Sequence, residues 1–282
     1  MTRYGLLFLV AWFCLASAQE KPRTVLVSFL PLLESAQRIA SGRLEVRMLL
    51  SAGASPHTFD PTPKDVLTVR NADLLLLNGY GIDAWLERLW RVGGQQARLV
   101  KLAEQAEFAR IGQLGRIDAH VWLDASIMAS MAREIGEAYA LFDKANASAY
   151  RQAAVLEKQR LLELHQEIKV SLEPIRNAGL VVFHNAWDYF TRAYSLRVAA
   201  IVRVQVERDP SAKEIAEIVR LMRRENIKAI FVEPQLPDRV ARIIALEVGA
   251  KVFVLDPEGS SLSENYTSLM RYNATTLLRA LR

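Results

Sequence analysis

The sequence predicts an α/β fold built as two lobes, and three observations carry that prediction. Short runs rich in Val, Ile and Leu alternate with amphipathic stretches along most of the chain. The runs are apolar on both faces, as parallel strands covered by helices are. The alternation fails once, from Ser126 to Leu172, where there is no strand candidate, no Pro and no Gly except Gly136. Two strand–helix series separated by one long helical segment predict two lobes with parallel sheets, joined by a long helix.

The first residues stand apart from this pattern. Arg3 precedes an apolar run from Gly5 to Leu15, and Ala16-Ser17-Ala18 follows before Gln19. A basic start, a short apolar core and an A-x-A site predict a secretory signal peptide. The run is well short of the ~20 residues that span a bilayer. Cys14 is the sole cysteine and follows Phe13, where a lipid-attachment site wants a small residue. Cleavage is therefore expected after Ala18, leaving a mature chain without cysteine, unanchored and placed in the periplasm. A disulfide framework and any CxxC metal or redox motif are excluded.

The first lobe is expected over residues 19–143. Its strand candidates are Thr24–Leu30, Leu44–Leu50, Ala72–Leu77 and Arg98–Leu102, with a shorter extended stretch at Val121–Leu123. Thr62-Pro63-Lys64-Asp65 is a helix start, with a capping Thr, Pro at the first helical position and an acid at the third. Asp143-Lys144-Ala145-Asn146 then breaks one helix and caps the next. From Ala147 the positions Tyr150, Ala154, Leu161, Leu164, Ile168 and Leu172 form one apolar stripe in a charged background. That predicts a helix of roughly 27 residues, ~40 Å long, within a linking segment at 144–176. The stripe holds no clean heptad, which argues against a coiled-coil dimer and for a monomer. The second lobe, 177–282, offers strands at Leu180–Phe183, Val198–Val204, Ala229–Val232 and Lys251–Leu255. Ser211-Ala212-Lys213-Glu214 is a capping box opening a helix between them.

Composition narrows the function little. The chain has 282 residues, 51% of them apolar and 24% charged, with 36 Lys+Arg against 31 Asp+Glu. This is a globular protein with a mild net charge, which gives no case for nucleic acid. Gly-rich phosphate loops, nucleophile elbows and HExxH are all missing from the sequence.

The four histidines are more informative. His57 follows the second strand, His184 ends the first strand of the second lobe, and His120 lies among the last extended residues of the first lobe. Asp256 directly follows the last strand. In open α/β sheets ligands bind outside the carboxyl ends of the strands. Three imidazoles and a carboxylate form a four-coordinate shell suited to zinc. A single strand-end histidine is as readily an ordinary hydrogen-bonded residue, so the residues alone leave both readings open. His165 reads as a helix-face residue. Asp60, Asp118, Asp124 and Glu233 are candidates for orienting imidazoles, with Asp60 and Asp124 read first as helix caps. Trp85, Trp122 and Trp187 read as core or pocket wall, and Arg223, Arg224, Arg239 and Arg242 as solvated helix faces.

Several stretches together resemble one family. Ser55-Pro56-His57-Thr58-Phe59-Asp60-Pro61-Thr62-Pro63 looks like the first ligand loop of the metal-binding (zinc and manganese) solute-binding proteins of bacterial ABC importers. Asn71-Ala72-Asp73 through Asn78-Gly79-Tyr80-Gly81-Ile82-Asp83-Ala84-Trp85-Leu86 is similar to the strand and glycine turn that follow it. Asp118-Ala119-His120-Val121-Trp122-Leu123-Asp124 and Phe183-His184-Asn185-Ala186-Trp187-Asp188-Tyr189-Phe190 resemble the second and third ligand motifs. Phe231-Val232-Glu233-Pro234-Gln235 and Val254-Leu255-Asp256-Pro257 resemble the last two segments.

The resemblance implies a receptor, not an enzyme, that binds Zn2+ or Mn2+ as transported ligand between its lobes. It implies His57, His120, His184 and Asp256 as the ligands, and a membrane permease with its ATPase as partners. There are departures from the family's pattern. Ala119 and Ala125 replace usual prolines, Asp83 replaces a commoner Glu, and the loop Phe108–Ile117 has no histidine where many zinc members are His-rich. His184 stands where manganese-preferring members more often have Glu, which points to zinc. A Mn2+ receptor, an exported zinc enzyme and a metal store or adhesin are the competing readings.

Overall fold

A four-stranded parallel sheet forms around β1 (Thr24–Val27), in a computed structural model that describes residues 23–113, 116–203 and 208–282. The leader read at residues 1–18, Cys14 included, lies outside the described residues. β1 pairs with β2 (Glu45–Met48) on one side and β3 (Leu74–Leu77) on the other, and β4 (Arg98–Lys101) extends the sheet beyond β3. The four leucines of β3 are at most 1% exposed, as a central strand covered on both faces requires. The covering helices are α1 (Leu30–Ala40), α2 (Pro63–Arg70) and α3 (Ala84–Val92). α2 begins at Thr62, whose backbone N–H donates to Asp65 at 2.7 Å, so the predicted helix start holds. Asp60, read as a cap, lies two residues before that cap.

A short helix α4 (Leu102–Gln105) and the antiparallel pair β5 (Gly112–Gln113) and β6 (Arg116–Ile117) lead towards His120. Val121–Leu123, expected to be extended, is instead one turn of 3-10 helix. The Leu123 N–H donates to the His120 carbonyl and that of Asp124 to the Val121 carbonyl. All three side chains are fully buried, so the apolar run reflects core position and not sheet pairing.

α5 (Ala125–Phe142) and the 26-residue α6 (Ala147–Leu172) follow. At 1.5 Å per residue α6 is about 39 Å long. Its buried face is the predicted stripe, from Tyr150 to Leu172, with Glu157 added. Gly136 explains itself here. A Cβ at that position would meet the Ala154 Cβ at 2.5 Å, so only glycine lets α5 and α6 approach so closely.

The second lobe repeats the layering. β7 (Gly179–His184), β8 (Arg197–Arg203), β9 (Ala229–Val232) and β10 (Lys251–Val254) form a second parallel sheet in the order β10-β9-β7-β8. α7 (Asp188–Ala193), α8 (Ala212–Arg224), α9 (Arg239–Val248) and α10 (Tyr266–Leu281) complete it. α8 opens on the capping box, with the Glu214 N–H donating to Ser211 Oγ. Among the described residues no helix is long and apolar enough to cross a membrane.

A buried polar network ties the lobes through α6. Glu34 of α1 accepts from the Thr267 N–H at 2.9 Å, in the first turn of α10. There the unpaired N–H groups and helix dipole favour a carboxylate. Ser35 donates to Glu157 at 2.7 Å, and Arg160 pairs with both Glu157 and Glu34.

Candidate metal centre

The sheets deliver the predicted histidines to one point. His184 is the last residue of β7, His120 opens the buried 3-10 turn, and His57 sits in the loop between β2 and α2. The Nε2 atoms of His57 and His120 are 3.2 Å apart, and those of His120 and His184 are 3.3 Å apart. Glu258 Oε1 lies 3.5 Å from His57 Nε2. One donor atom from each of His57, His120, His184 and Glu258 lies within 4.8 Å of the other three. Four donors around a tetrahedral zinc at about 2.05 Å are about 3.3 Å from one another. The imidazole spacings match that figure.

Outer carboxylates fix the ring tautomers. His120 Nδ1 lies 2.7 Å from Asp118 Oδ1, and His184 Nδ1 lies 2.5 Å from Glu233 Oε2. With Nδ1–H donating outward, each Nε2 presents its lone pair inward, as metal ligation needs. The Trp187 indole donates to the other oxygen of Glu233 at 3.4 Å. Asp118 and Glu233 thus orient imidazoles, while Asp124 caps α5 through the Ser126 N–H at 2.8 Å.

Burial sets the charges of the cluster. The side chains of His184 and Glu258 are 3% exposed and that of His120 is 7%, whereas His57 is 23% exposed. Burial, with His120 and His184 close by, pulls the His57 pKa down to about 3. Burial pushes the Glu258 carboxyl up to about 8, against the pull of His184 and with help from Glu233 and Asp256. At His184 burial opposes the charged form, but contact with Glu233 outweighs it and the net shift is upward. The undissociated Glu258 and neutral His57 avoid packing bare charges together in a dry site.

Asp256, the carboxylate expected as fourth ligand, is fully buried but lies outside the four converging donors. Its Oδ1 accepts from Gln235 Nε2 at 2.8 Å, Gly259 N at 2.8 Å and Glu258 N at 3.3 Å. Asn273 clamps its backbone, accepting from the Asp256 N–H at 2.8 Å and donating to the Asp256 carbonyl at 2.7 Å. Glu258 escaped the sequence reading. Its one sequence signal is an acid between Pro257 and Gly259, two residues after Asp256. His165 is elsewhere, with Nδ1 3.2 Å from Asp124 Oδ1 and its ring beside Tyr194. Trp85, Trp122 and Trp187 are buried, and Arg223 and Arg242 form exposed ion pairs with Glu247 and Asp238.

Two parallel-sheet lobes, a linking helix and a histidine cluster between them have the architecture of a metal-binding solute-binding protein. Comparison with known proteins makes the class specific. The model of the family described as zinc-uptake complex component A, periplasmic (ZnuA), matches residues 25–280. The high-affinity zinc uptake system protein ZnuA of Bacillus subtilis is 24% identical over 277 residues, 91% of this chain and 87% of that protein. A crystal structure of ZnuA superposes with a TM-score of 0.84 at 25% identity, covering 93% of this chain and 100% of that one. A manganese-bound periplasmic metal-binding protein from Candidatus Liberibacter asiaticus shares the fold, with a TM-score of 0.81 at 21% identity over 92% of this chain and 100% of that one. The chain belongs to the ZnuA family.

Proposed function

We propose that this protein captures Zn2+ between its lobes in the periplasm and delivers it to the permease of an ABC importer, which a cytoplasmic ATPase drives. The observation that carries the reading is the spacing of His120 Nε2 from the Nε2 atoms of His57 and His184, which suits a tetrahedral ion. His57, His120 and His184 are the nitrogen ligands, and the loop that begins at Asp256 supplies the oxygen. The family description, a periplasmic component of zinc uptake, supports both the cargo and the place. So does the signal-peptide pattern ending at Ala18.

Three nitrogens and one oxygen favour zinc over manganese, a harder ion that prefers oxygen donors and six-fold coordination. The manganese-bound relative keeps Mn2+ as the second reading. A hydrolytic enzyme fits less well. Catalytic zinc keeps a position for water, whereas four protein donors converge on this site, one from each residue within 4.8 Å of the others. Metal analysis of protein purified without added metal, followed by equilibrium competition between Zn2+ and Mn2+, tests the assignment. A protein that takes up neither ion overturns it.

A further inference from the structure

We propose that Asn78 is a positioning residue for metal binding, which fixes the peptide that carries His120 from the core of the first lobe. The proposal rests on the metal-receptor reading above and says what sets the geometry of its middle imidazole.

Asn78 directly follows the leucines of β3 and is completely buried. Its backbone is held on both sides. The N–H donates to Asp83 Oδ2 at 2.5 Å, and the carbonyl accepts from the Ala103 N–H at 2.9 Å. Asp83, itself 1% exposed, takes the Gly79 N–H on its other oxygen at 3.1 Å. The Asn78 side chain therefore starts from a fixed base. Its Nδ2 donates to the Gly79 carbonyl at 3.1 Å and, across 41 residues of chain, to the Ala119 carbonyl at 3.0 Å. Both partners are carbonyls, so the position needs an amide with two N–H donors. An ionised carboxylate of the same shape only accepts and would not fit.

The Ala119 carbonyl and the His120 N–H belong to one peptide unit. Asn78 holds its oxygen, and its N–H donates to Asp118 Oδ1 at 3.1 Å. A planar unit gripped at both poles is held against rotation, and the imidazole of His120 hangs from one end of it. Accuracy matters most at this histidine. Its Nε2 stands 3.2 Å from that of His57 and 3.3 Å from that of His184, so a displaced His120 is felt at two other donors. Asp118 is two residues away along the chain and moves with the same loop. Asn78 supplies the fixed reference, because it stands at the end of a central strand.

The test measures Zn2+ affinity by chelator competition in the full mature chain, as a double-mutant cycle. Asn78→Ala should weaken Zn2+ by about ten- to a hundredfold, the range typical of losing an outer partner. In a His184→Ala background it should cost about as much. In a His120→Ala background it should cost less than about twofold, because the group it positions is gone. Asn78→Ser, whose hydroxyl is one atom short of the Ala119 carbonyl, gives the same comparison should Asn78→Ala fail to fold. A purely structural role predicts equal losses in the two backgrounds. That result overturns the proposal, as does unchanged affinity in the single variant. Wild-type protein that takes up no Zn2+ overturns the receptor reading itself, a distinguishable result.

Discussion

His184 and Glu233 meet across the ends of neighbouring strands, with Nδ1 and Oε2 2.5 Å apart and both residues 3% exposed. His184 closes β7 and Glu233 follows β9, so parallel pairing itself brings the imidazole to its carboxylate. The contact fixes the tautomer and raises the basicity of Nε2. Glu233→Gln keeps an acceptor for Nδ1–H but removes the charge. It should weaken Zn2+ by about tenfold, the low end of such effects, measured by chelator competition.

The histidines separate cleanly by role. His57→Ala, His120→Ala and His184→Ala should each weaken Zn2+ severely while circular dichroism stays native, because each lobe keeps its own sheet and helices. His165→Ala should leave affinity unchanged, since His165 lies beside Asp124 and Tyr194 and is no part of the cluster.

Glu258 makes metal-free stability depend on pH in a defined direction. Its carboxyl is raised from 4.5 to about 8 in the folded protein. The folded state therefore holds a proton that the unfolded chain releases. That contribution is fully present below about pH 4.5 and is lost as pH rises through about 8. Metal-free Tm should fall across this window, and Glu258→Gln should flatten the fall. Zn2+ displaces the same proton, so calorimetry in buffers of different ionisation enthalpy should show proton release near neutral pH. His57, held down to about 3, should contribute nothing to that release.

Metal choice turns on the third nitrogen. Wild-type protein should prefer Zn2+ to Mn2+ in equilibrium competition, and His184→Glu should narrow the gap mainly by weakening zinc. Equal preference in the wild type, or an unmoved ratio in the variant, would exclude zinc as the intended ion while leaving a metal receptor.

Glu34 joins the lobes rather than the metal. Glu34→Ala removes the acceptor at the start of α10 and should cost about 2 kcal/mol. At this chain length that is a fall in Tm of roughly 4–8 °C. Zn2+ affinity should be unchanged, which separates the tie from the site.

Most of the scaffold was legible because its signals are local. Val- and Leu-rich strands, the Thr62 and Ser211 helix starts and the Tyr150–Leu172 stripe each carry their own period or cap. Val121–Leu123 misled because complete burial produces an apolar run in a turn as well as in a strand. His184 was visible at the end of a strand, and His57 and His120 as histidines in the stretches that follow strands. The carboxylate was harder. Asp256 sits at a strand end, but which acid of the loop faces inward depends on Asn273, Trp122 and Gly53, all distant in sequence. The Ser35–Glu157 and Glu34–Thr267 bonds span 122 and 233 residues and leave no mark in spacing.

The unequal exposure of the four donors gives the shell a single doorway. His57 alone opens to water, while His120, His184 and Glu258 form a closed back wall. In this arrangement His57 is the donor through which the cluster meets water. His57 rides on a loop that the Gly53–Gly259 hydrogen bond staples to the opposite lobe. The Ser55 hydroxyl donates to Glu258 at 3.4 Å from the same loop, so two ties must part before His57 can swing away from the back wall.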